Sequence, residues 1–147
     1  MVFNISRIMA KARYTSKPPV STPASLKLPE DLKAFYRTYG EVMFFPDGDY
    51  SFVVHGEDRL QRSDMYVLGE DVGEELSANW YVIATCDDQT ISICLSDENQ
   101  FGWCYDSYWD IYPAADSITL IATSFTDLLE MIVADGGRSL FWIAGRH

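Results

Sequence analysis

A chain of 147 residues, 48% apolar and 14% aromatic, has material for one domain with a real core, and this composition excludes a disordered acidic tail. Its formal charge of −11 is unevenly spread. Residues 1–40 hold Arg7, Lys11, Arg13, Lys17, Lys27, Lys33 and Arg37 against Glu30 and Asp31; beyond residue 40 lie all but two of the 22 carboxylates, four arginines and no lysine. Such a surface repels nucleic acid, whose phosphates need Lys and Arg to displace counterions, and it either attracts a basic partner or simply keeps the protein dissolved. No apolar run approaches the roughly 20 residues of a membrane span, so a soluble chain is expected.

Met1–Ala24 has no acid and places Ile5, Ile8, Met9 and Ala12 at helical spacing among its basic groups. Three readings stand: a transit peptide, an amphipathic starter helix packed on the domain, or a mobile arm; without an apolar central stretch it is no secretory signal. Lys17–Pro23 carries three prolines and reads as an extended linker. The expected division is therefore a basic helix and linker arm, 1–24, and a folded domain, 25–147.

Leu28–Gly40 contains the instructions for one short helix. Leu32, Phe35, Tyr36 and Tyr39 fall at i, i+3, i+4 and i+7 and form one apolar stripe. Pro29 suits a first helical position, Glu30 and Asp31 match the positive end of the helix dipole, and Gly40 offers a left-handed cap. Glu41–Phe45 and Tyr50–His55 then read as a hairpin around Pro46-Asp47-Gly48-Asp49. Residues 56–79 show no dominant period: a short helix fits near Glu57–Gln61 and an acidic loop at Glu70–Glu75.

Asn79–Cys86 and Gln89–Leu95 alternate as paired strands about an Asp87-Asp88 turn, and Phe101–Tyr105 continues the meander with Phe101, Trp103 and Tyr105 on one face. Ser117–Ala122 is a short extended piece. Ser124-Phe125-Thr126-Asp127 opens a second helix, with Phe125, Leu128, Leu129, Ile132 and Val133 as its stripe and Asp135-Gly136-Gly137 as its end. Leu140–Ile143 is either a last strand or a packing flap. Helix, meander, helix gives an α+β domain with a central antiparallel sheet flanked by helices.

The helix LPEDLKAFYRTYG, the hairpin WYVIATCDDQTISICLS, the strand FGWCYDS and the closing SITLIATSFTDLLEMIV occur in an order that resembles the SUKH superfamily, which includes the Smi and Knr regulators. The likeness covers roughly Leu26–Val133; Tyr39-Gly40-Glu41 departs from the Asn-Gly common after the first helix in the family. The resemblance implies a bacterial immunity protein that binds and neutralises a cognate toxin, often a nuclease, and with the unpaired cysteines a cytoplasmic one is expected. A basic toxin would complement the acidic surface derived above. The alternative it implies is a regulatory protein-interaction scaffold of the Smi/Knr type.

Signals for catalysis are sparse. His55 and His147 are the only histidines, too few for a zinc site, and Cys86, Cys94 and Cys104 lack a C-x-x-C pair and read as buried thiols of a reducing compartment. Asp47-Gly48-Asp49 reads as a turn without the spacing of a calcium loop, and Asp87-Asp88 and Asp97-Glu98 read as solvated turns before they read as an acid/base pair. No enzyme activity and no cofactor are expected. For partner binding the sequence offers Asp106, Tyr108, Trp109 and Asp110, aromatics among acids that would hold Arg or Lys. Asp87, Asp88, Glu70, Asp71, Glu74 and Glu75 would steer the approach.

Overall fold

The computed structural model describes residues 4–20, 26–71, 73, 77–96, 100–108 and 119–142. Within them, three helices pack against an eight-stranded sheet: α1 (Ile5–Met9), α2 (Glu30–Thr38) and α3 (Phe125–Asp135), with β1 (Tyr14–Ser16), β2 (Val42–Phe44), β3 (Phe52–Val54), β4 (Gln61–Arg62), β5 (Trp80–Cys86), β6 (Gln89–Cys94), β7 (Cys104–Asp106) and β8 (Leu120–Ala122). Every pairing is antiparallel. The strand order is β1-β2-β3-β5-β6-β7-β8, and β4 shares an edge of β5 with β3, meeting Tyr81 and Val82 where β3 meets Ala84 and Thr85. The expected α+β architecture is what the chain adopts.

The two amphipathic stripes build the core. Leu32, Phe35 and Tyr36 of α2 and Phe125, Leu128, Leu129 and Ile132 of α3 are buried with Ile83, Ile91 and Ile93 of the central strands. At about 1.5–3 kcal/mol for each large side chain fully withdrawn from water, this layer dominates the stability of the fold. Phe35 and Phe125 meet edge to face at 5.0 Å. Beside them Asp31 is buried: its Oδ2 accepts from the Thr126 N–H and from Thr126 Oγ1, each at 2.8 Å. The acid placed at the start of α2 thus caps the start of α3 as well, where Ser124 Oγ accepts from the Asp127 N–H at 3.0 Å.

Gly40 is not the left-handed cap expected of it. Tyr39 ends α2 in extended conformation (φ −122°, ψ 139°), and Gly40 is required instead by the chain just after β1, since a Cβ there would lie 2.3 Å from the Pro18 carbonyl oxygen. Pro29 likewise stands one position earlier than expected, as the residue preceding α2. At the N-terminus, Ile5, Ile8 and Met9 of α1 enter the core, and β1 pairs with β2 from Tyr14↔Phe44 to Ser16↔Val42. Within the described residues, α1 and β1 of this basic stretch therefore pack on the domain. At the other end the tail forms a flap: Trp142 is buried with its ring 5.5 Å from that of Phe52. Ile143 lies outside the described residues.

Candidate functional site

Alternation along β5 and β6 sends Ile91 and Ile93 to the helices and Thr90, Ser92 and Cys94 to the opposite face. That face is buried too, but its chemistry is different. Ser92 Oγ lies 2.6 Å from Ser63 Oγ and donates to Ser107 Oγ at 2.8 Å, while Thr90 Oγ1 donates to the Ser107 carbonyl at 2.7 Å. A hydroxyl buried without a partner costs roughly 1–3 kcal/mol, so such a chain fixes where Ser63 and Ser107 can stand. Next to it Trp80 and Tyr105 stack at 4.5 Å with Cys94, Val67 and Trp103 around them.

Ser63 opens the segment that covers this face. Arg62 leaves β4 between two carboxylates, with Nη1 donating to Asp71 Oδ2 at 2.8 Å and Nη2 lying 3.7 Å from Asp64 Oδ2. Asp64 is fully buried and accepts from Ser77 Oγ at 2.9 Å. From this anchor the chain makes one wide π-helical turn, Asp64–Leu68, ended by Gly69 at φ 77°, a conformation costly for any residue with a Cβ. Val67 turns inward toward the Trp80 and Tyr105 rings, whereas Met65, Tyr66 and Leu68 are 44%, 44% and 36% exposed. The ring of His55 lies 6.1 Å from that of Tyr66 and its Nε2 is 3.3 Å from Thr85 Oγ1. Burial is the main cause that lowers the His55 pKa from its ordinary value. The hydrogen bond from Arg62, then that from the Gly73 N–H, holds the Asp71 carboxyl below the usual range.

The residues that sequence reasoning selected are distributed differently. Asp106 is 0% exposed on β7, opposite Ile91, and accepts from the Tyr108 N–H at 3.2 Å. Buried there, it shapes the chain after β7, which extends one residue further than its pattern suggested. Tyr108 is half-buried. Trp109, Asp110, Glu74 and Glu75 lie outside the described residues. Glu70 and Asp71 are exposed after the wide turn, and Asp87 and Asp88 are exposed where β5 returns into β6, so the two pairs occupy separate loops. Phe101, Trp103 and Tyr105 do not share one face: Gly102 turns at φ 87° before β7 begins, which sends Phe101 to the helix-side core and Trp103 to the Trp80 cluster. Met65, Tyr66 and Leu68 were missed because residues 56–79 lack a period; the run of exposed-size apolar residues between Asp64 and Glu70 was the one available signal.

The matching family model is that of the SMI1/KNR4 family (SUKH-1), over residues 24–131. The chain belongs to this family. It is 28% identical over 118 residues to immunity protein YokJ of Bacillus subtilis (strain 168), an alignment that covers 80% of this chain and 71% of that protein. The family match spans α2 to α3 and therefore both faces of the sheet described above.

In this SUKH-1 chain Cys86, Cys94 and Cys104 are buried thiols in no disulfide. Cys94 belongs to the Trp80 cluster and Cys104 to the helix-side core, so neighbouring strands hold them on opposite faces. Burial, with Asp87, Asp135 and Asp88 adding to it, pushes the Cys86 thiol up to about 11. Among the described residues no three of His, Cys, Asp and Glu come together as metal ligands, and no helix is long and apolar enough to cross a membrane.

Proposed function

We propose that the protein is an immunity protein that binds a cognate polypeptide toxin and blocks it by occlusion, without turnover of its own. The match to immunity protein YokJ over four fifths of the chain is the observation that carries this reading. The charge of −11 favours a basic partner, such as a nuclease-type toxin that holds phosphates with Lys and Arg. Glu70, Asp71, Asp87 and Asp88 have the exposure that a steering role requires. Trp109, Asp110, Glu74 and Glu75 remain partner-binding candidates on sequence grounds, and Tyr108 does so half-buried.

The test is co-expression with the toxic polypeptide encoded beside the gene. Growth should be restored, and the purified pair should form a complex that weakens as salt rises from low to physiological levels. Continued killing with no complex at low salt overturns the reading.

A further inference from the structure

Seven large apolar side chains are exposed among the described residues: Val20, Met43, Met65, Tyr66, Leu68, Leu120 and Met131. Val20, Met43, Leu120 and Met131 are scattered along the chain, but three fall within the one five-residue turn Asp64–Leu68. The turn is not loose. Val67 pins it to the Trp80 and Tyr105 stack, Ser63 ties its start to Ser92, and Arg62 joins buried Asp64 to Asp71 beyond its end. Buried polar groups thus hold an apolar projection in water, an arrangement that costs the isolated protein and prepares a surface for binding. Tyr and Met are enriched at interface centres, where a few apolar anchors carry most of the energy inside a polar rim. The rim here is acidic. Glu70 and Asp71 are exposed directly after the turn, and the nearby cation Arg62 is already engaged by Asp64 and Asp71.

We propose that the toxin is gripped by the turn Asp64–Leu68, with Met65, Tyr66 and Leu68 entering an apolar site on it and Glu70 and Asp71 facing Lys or Arg side chains around that site. This rests on the immunity reading and assigns its contact surface. The anchor is therefore the wide turn between β4 and β5, and the acids act around it in association more than in grip.

The decisive experiment measures affinity of the full chain for the toxin encoded beside its gene, purified in a catalytically inactivated form. The double variant Met65→Ala/Tyr66→Ala should bind about a hundredfold more weakly, while Met131→Ala, which removes another exposed apolar side chain, from α3, should change affinity by less than about threefold. Glu70→Lys should slow association about tenfold at low salt and far less at high salt. If the wild-type chain binds and Met65→Ala/Tyr66→Ala and Glu70→Lys bind as it does, the immunity reading stands and the turn is not the contact. If the wild-type chain does not bind, both are overturned.

Discussion

The two faces of the sheet bury comparable lengths of β5 and β6 by different means. Toward the helices, Ile83, Ile91 and Ile93 meet Leu32, Phe35, Phe125 and Leu129 in a continuous apolar layer. Toward the other side, Ser92, Thr90 and Ser107 meet Ser63, and Arg62, Asp64 and Ser77 hold a turn whose own apolar residues face outward. Apolar burial is non-directional and tolerates approximate fit, so it secures the fold; a hydroxyl chain is directional and tolerates little, so it fixes the position of what is attached to it. One face holds the domain together and the other presents a surface.

Substitutions should separate the two roles. The largest effect is expected in the helix-side layer, where Phe35→Ala should cost about 3–5 kcal/mol of unfolding free energy in denaturant titrations. Asp31→Ala follows at about 1–3 kcal/mol, because the Thr126 N–H and hydroxyl lose their buried acceptor and α3 loses its tie to α2. On the opposite face Ser92→Ala should cost about 1–2 kcal/mol, by leaving Ser63 and Ser107 each short of a partner. Tyr66→Ala should change stability by no more than about 1 kcal/mol, since the residue is 44% exposed and lies outside the core. An equal loss for Tyr66→Ala and Phe35→Ala would erase the distinction between the faces.

The smallest effect is a pH dependence. Because the folded state lowers the His55 pKa, the unfolded chain binds the proton first as pH falls below the ordinary value near 6.5. Its contribution is therefore absent above that value, and stability declines from there down to the folded pKa. His55→Gln should flatten this part of a stability against pH curve, read by thermal midpoints between pH 5 and 7. An unchanged slope would show that other groups set it.

What the sequence revealed follows the same division. The stripes of α2 and α3, the Ser124 cap and the β5–β6 hairpin were legible, because period and turn chemistry are local signals. Gly40 was legible as indispensable but for the wrong reason, since its neighbour Pro18 is distant in sequence and no cap signal reports it. Asp31 read as a helix-start acid, and its bond to Thr126 could not be read from α2 alone. The opposite face was scarcely legible: Ser63, Ser77, Ser92 and Ser107 look like surface residues until the fold brings them together. For the same reason Asp106 read as exposed although it is buried, and the outward turn of Met65, Tyr66 and Leu68 left no local sign.

Hydrogen exchange of the whole chain, alone and with the inactivated toxin bound, tests the central claim most directly. Added protection should fall on the amides of residues 61–71, with those of α2 and α3 exchanging as before. Protection gained along α2 and α3 and none at 61–71 would place the binding surface on the helix side and contradict the account.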